Sequence, residues 1–131
     1  MIKTIRFIQE EEFVINLNLG MFQGHLESYD RLVKELPERV EWYDMSKLST
    51  SLCLAISSAE YLIARCDGIL QRIQKLILGK YLLSKAKEEI LELKNKLKDQ
   101  LTILNSRMEE VERVKKLTLT GPVKLIVLPV I

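Results

Sequence analysis

The sequence predicts an all-α fold, an antiparallel helical bundle built on one long αα-hairpin and followed by an extended apolar C-terminal arm. Three observations carry that reading. Two stretches of about 33 residues repeat apolar side chains at steps of three and four, the spacing of one helix face. A short break from Gly79 to Ser84 separates them, which favours antiparallel neighbours. The final stretch, GPVKLIVLPVI, carries a single charge at Lys124.

The front of the chain is the least regular part. In residues 13–19, FVINLNL, the residues Phe13, Ile15, Leu17 and Leu19 alternate with Asn16 and Asn18, the period of a half-buried strand. HLESYDRLVKEL then sets Leu26, Tyr29, Leu32, Val33 and Leu36 on one face of a short amphipathic helix. Pro37 ends that helix or opens the next one as a first-turn residue. PERVEWYDM reads as a further turn or two, with Val40 and Tyr43 inward and Trp42 as a helix-packing residue.

The first long helix is predicted from about Ser46 to Leu78, its stripe running from Leu48 and Leu52 through Ala59, Leu62 and Cys66 to Ile73 and Ile77. Ser46 or Ser49 can cap it, because a hydroxyl there accepts from an unpaired first-turn amide. Gly68 costs such a helix roughly 1 kcal/mol relative to Ala, and the pattern continues through it. The second long helix, from Ser84 to about Lys116, carries Ile90, Leu93, Leu97, Leu101, Leu104, Met108, Val111 and Val114, with Ser84 as its N-cap and Gly79 as the preceding stop. LTLT at 117–120 alternates again, and Gly121-Pro122 is a turn signal. A small sheet joining the two ends of the chain is consistent with these alternations. The domain organisation is therefore one helical unit over residues 1–120 and an apolar arm over 121–131.

Composition narrows the function classes. Twenty Lys and Arg against eighteen Asp and Glu leave a formal charge of +2, too balanced to argue for a nucleic-acid or membrane partner. The charge is uneven: residues 1–45 hold nine acids against five bases, and residues 46–131 hold fifteen bases against nine acids. Cys53 and Cys66 fall on one predicted helix, about 20 Å apart, too far for a disulfide and consistent with buried, reduced thiols. The N-terminal residues lack the pattern of a signal peptide, since QEEEF interrupts any apolar region.

Chemistry-bearing motifs are sparse. The lone histidine, His25, sits at a predicted helix start and reads as a surface or capping residue, without the companion ligands a metal centre needs. Glu10, Glu11 and Glu12 point about 100° apart on a helix and read as a solvated acidic face. No catalytic set, metal site, cofactor motif or small-molecule substrate is expected, and the chain reads as a non-enzyme. For nucleic acid, Lys87, Lys94 and Lys98 share one flank of the last helix, with Lys116 further along, a stripe suited to weak, non-specific DNA contact. In the arm, Val123, Leu125 and Val127 face one way and Ile126 and Leu128 the other, so burying one apolar face leaves the second in water. An arm laid on a neighbouring copy accounts for both faces, making these five residues candidate subunit contacts. A strand in the molecule's own core and contact with lipid are the alternatives.

With its long hairpin from Leu48 to Val114 and its arm at Gly121–Ile131, this 131-residue chain resembles the major coat proteins of the two-tailed spindle-shaped archaeal viruses, the bicaudaviruses. The resemblance implies a four-helix-bundle coat subunit without enzymatic activity. It also implies assembly in many copies around a DNA genome, with the protein made in the host cytoplasm and residing in the virion. The reading from the residues alone is a self-assembling structural protein, and the alternative is a small helical regulatory or nucleic-acid-binding protein.

Overall fold

The computed structural model describes residues 2–76, 81 and 83–124. The chain is all-α. Among the described residues three long helices, α1 (Ile2–Lys34), α2 (Trp42–Gln74) and α3 (Ser84–Leu117), are accompanied by a two-residue strand β1 (Arg39–Val40), a 3-10 turn at Thr118–Thr120 and a two-residue strand β2 (Val123–Lys124). That is one long helix fewer than the four-helix bundle implied by the resemblance. The helices have 33, 33 and 34 residues, each about 50 Å long. Successive helices are antiparallel. Glu11 near the start of α1 meets Arg65 near the end of α2, and Ser49 near the start of α2 meets Glu112 near the end of α3.

The core is built on seven-residue repeats. In α2 the residues Met45, Leu48, Leu52, Ala55, Ala59, Leu62, Cys66, Ile69 and Ile73 alternate steps of three and four, and every one is fully buried. α2 is accordingly the central helix, packed against both α1 and α3. In α3 the buried residues Ile90, Leu97, Leu104 and Val111 recur every seven, with Leu93, Leu101 and Met108 partly buried between them. In α1, Ile8, Ile15, Phe22 and Tyr29 recur every seven and are buried.

That last repeat corrects the reading of the front. Residues 13–19 are helical, and the apparent alternation arose because Phe13 and Leu17 lie on the outer face of α1 while Ile15 lies on the inner one. The short helix expected from His25 is the second half of the same α1, so His25 is a half-buried mid-helix residue and not a cap. α1 stops at Lys34, two residues before Leu36, whose helical conformation Pro37 disfavours.

α2 starts at Trp42, earlier than the sequence reading placed it, and neither Ser46 nor Ser49 caps it. Glu41 holds the N-cap position, and its backbone N–H donates to Asp44 Oδ2 at 2.9 Å. This start turns Trp42 and Tyr43 outward, where they are 47% and 63% exposed, while Val40 is buried as expected. Trp42 still joins two helices, because Lys115 of α3 places its Nζ 5.2 Å from the indole centroid. α2 runs unbroken through Gly68 and ends at Gln74, short of the predicted Leu78. Gly79 lies outside the described residues, and Ser84 is the first residue of α3 after Leu83 at the N-cap position.

Both cysteines are free on α2, but only Cys66 is buried; Cys53 is exposed, one step out of phase with the core repeat. Burial pushes the Cys66 thiol up to about 11. LTLT is not a strand: Leu117 ends α3 and Thr118–Thr120 form a 3-10 turn. The sheet that does form is small: Val40 pairs with Val123 and Arg39 with Lys124, antiparallel. Gly121, at φ 139°, supplies the backbone conformation that turns the chain from the 3-10 segment into β2.

Candidate functional site

The surfaces singled out from the sequence separate once the helices are placed. Val123 is partly buried against the molecule's own core beside Val40, and Lys124 reaches Glu38 at 3.8 Å across an exposed edge. Leu125, Ile126, Val127 and Leu128 lie outside the described residues. The apolar run thus begins as an intramolecular strand for its first two positions.

The lysine flank is not uniform. Lys94 forms an ion pair with Asp67 of α2 at 2.5 Å, with its side chain only 19% exposed. It ties α3 to α2, a structural use that competes with a phosphate. Lys87, Lys98 and Lys116 are exposed. Glu109 and Glu112 stand between Lys98 and Lys116 on that side. Glu112 is engaged as well, accepting from Ser49 Oγ at 2.6 Å.

The acidic triplet is also divided. Glu10 is exposed, whereas Glu11 is half-buried and accepts from Arg65 Nη1 at 2.7 Å. Arg65 is held from the other side, because its Nε–H donates to the Tyr61 hydroxyl at 2.9 Å. Glu11 therefore fastens α1 to α2, correcting the reading of a wholly solvated acidic face.

Two features escaped sequence reasoning because they draw residues from separate helices. The first is a groove of about 320 Å³ between α1 and α2, lined by His25, Ser28, Leu32, Tyr43, Lys47 and Ser51 among others. Its polar groups serve the fold: Ser51 Oγ donates to the His25 carbonyl at 3.5 Å, and Lys47 Nζ lies 4.5 Å from the Tyr43 ring centroid. Nothing here pairs the imidazole with a nucleophile, and among the described residues no three metal-ligating side chains converge. The second is a polar patch within the bundle. Tyr29 is fully buried, and its hydroxyl and Arg107 Nε have no hydrogen-bond partner among the described residues. Burial is the main cause that pushes the Tyr29 phenol up to about 12; Arg107 opposes the shift, and Glu110 and Asp30 add to it.

The remaining candidate surface is apolar. Phe13, Leu17 and Met21 on the outer side of α1 are 72%, 60% and 55% exposed. No helix among the described residues is long and apolar enough to cross a membrane. The geometry thus defines a three-helix bundle with a closed core and an exposed apolar helix face. Comparison of the chain with protein-family models, curated proteins and solved structures returned no match.

Proposed function

We propose that the protein is a non-enzymatic structural subunit that assembles with copies of itself and, on its resemblance to bicaudavirus coat proteins, that it serves as a virion coat subunit. The observation that carries the proposal is the way β2 begins the apolar arm. Among the described residues its ladder pairs Val123 with Val40 and Lys124 with Arg39. Continued antiparallel, its next positions on the β1 side would be Glu38 and then Pro37, which has no N–H to donate. A strand continued in that register would run into Pro37, and a neighbouring copy is the partner we propose for the two-faced apolar sequence from Leu125 to Leu128. Each such side chain contributes about 1.5–3 kcal/mol when buried, so a neighbouring subunit that covers them gains substantially.

The test keeps Val123 and Lys124 intact. The double substitution Ile126→Lys and Leu128→Lys in the full chain is expected to retain the helical signal and lose self-association by light scattering. A variant that associates as strongly as the unmodified protein removes the arm from the assembly. A variant that loses its helical signal assigns the arm to the subunit's own core.

A second reading, a helical nucleic-acid-binding protein, draws on the exposed Lys87, Lys98 and Lys116. Within the coat reading the same flank would meet packaged DNA without sequence preference. Retention on DNA by a chain that never self-associates would favour the second reading over the first.

A further inference from the structure

Helix α1 presents two faces on opposite sides. Ile8, Ile15, Phe22 and Tyr29 form the buried one. Glu10, Leu17, Gly24 and Arg31 form the other, flanked by Arg6, Phe13 and Gly20, and these residues are all exposed. Seven-residue spacing keeps these positions on one side of the helix, and that side carries the exposed apolar side chains Phe13, Leu17 and Met21. Phe13, Leu17 and the two glycines are preceded on this face by Arg6 and Glu10 and followed by Glu27 and Arg31. Gly20 and Gly24 serve no packing need within the subunit, because a Cβ built at either meets nothing within 4 Å. Glycine weakens a helix interior, and on this face it leaves room for another backbone to come close.

We propose that this face of α1 binds the same face of a second copy of the chain, with the two α1 helices antiparallel about a two-fold axis. Charge complementarity selects both the partner and the register. With the axis between Gly20 and Met21, Leu17 of one copy meets Gly24 of the other, and Phe13 meets Ser28. In the same register Glu10 meets Arg31 and Arg6 meets Glu35, each pair occurring twice as an isologous interface requires. All four of these charged residues are exposed, and among the described residues none of them forms an ion pair. The partner's α1 would then occupy, for each subunit, the position of a fourth helix.

This inference rests on the self-association reading but uses a surface distinct from the arm, so the two can fail separately. The experiment is sedimentation equilibrium of the full chain and three variants, with circular dichroism as the check on folding. Glu10→Arg and Arg31→Glu each set like charges against one another twice and are expected to weaken association about tenfold or more. The double variant Glu10→Arg/Arg31→Glu restores both pairs with their signs exchanged and is expected to return within about threefold of the unmodified chain. Gly24→Leu strengthens the helix of the free subunit yet fills the space Leu17 needs, so it too is expected to lower association. If the unmodified chain associates and the single variants match it, or the double variant fails to recover, the α1 interface is overturned while self-association stands. If the unmodified chain is a monomer of 15.2 kDa throughout, both proposals fall.

Discussion

Gly68 offers the cleanest measurement of whether α2 is one continuous helix. It lies six residues from the end of a helix that terminates at Gln74, and a Cβ added there meets nothing within 4 Å. Its φ is in the ordinary negative range, since the positive-φ position among the described glycines is Gly121. Gly68→Ala therefore introduces neither clash nor strain and changes mainly helix propensity, by about 0.8–1.0 kcal/mol in favour of folding. The 131-residue chain has an unfolding entropy of about 0.28 kcal/mol/K, from roughly 2.1 cal/mol/K per residue. The expected rise in Tm is therefore about 3 °C, measured by thermal circular dichroism at fixed protein concentration. Gly68 is preferable to Gly20 or Gly24 for this purpose, because those two lie on the proposed subunit interface and their replacement would alter two equilibria at once. A Tm that falls, or a helical signal that drops, would show that the chain breaks at Gly68 and that the register of the α2–α3 hairpin is different.

Two further outcomes follow from the surroundings of single residues. Neutralising Lys87, Lys98 and Lys116 to Gln should lower any DNA retention at low salt and leave Tm nearly unchanged, whereas Lys94→Gln should do the reverse, because Lys94 is committed to Asp67; equal effects of the two changes on retention would refute the division. Tyr29→Phe removes a buried hydroxyl that has no hydrogen-bond partner among the described residues and is expected to raise stability by about 1 kcal/mol in denaturant titrations. The phenol is pushed from 10.0 up to about 12, so it binds its proton more tightly folded than unfolded, and its contribution is intact below pH 10 and lost as pH rises towards 12. The Phe variant should therefore show a shallower loss of stability across that window, and an unchanged slope would place the alkaline transition elsewhere, with the Cys66 thiol as the next group to test.

The legible parts of the fold are those where burial alone decides the residue type. α2 and α3 show their inner faces in sequence because apolar residues such as Leu48, Leu62, Leu97 and Leu104 stand at sustained steps of three, four and seven. α1 concealed its own, since Phe13 and Leu17 outside are as apolar as Ile15 inside, and Asn16 and Asn18 add a false two-residue period. The start of α2 was missed for another reason: Glu41 and Asp44 form an acidic cap, while Ser46 and Ser49 downstream offered more familiar hydroxyls. Which cysteine is buried depends on the phase of the repeat, and Cys66 is in phase where Cys53 is not. The groove between α1 and α2, and the roles of Glu11 and Lys94 across helices, required the antiparallel register, which no local pattern contains.

The phase of each repeat distinguishes the residues that close the three-helix core from those left on its surface. α2 spends its whole seven-residue repeat on the core, with every member fully buried. α3 turns its core stripe inward and sets Lys85, Glu88, Glu92, Lys96 and Asp99 in water, as a helix with one partner layer should. α1 departs from this pattern in its centre, where the outer face is apolar and contains two glycines that the subunit does not need. Removing Phe13 or Leu17 should therefore cost the isolated subunit little, because each is more than half exposed and lies away from α2 and α3. Removing Ile15, two residues away and 2% exposed, should cost about 2–5 kcal/mol as Ala. Under the proposed α1 interface, the cost of removing Phe13 or Leu17 would fall on association and not on folding.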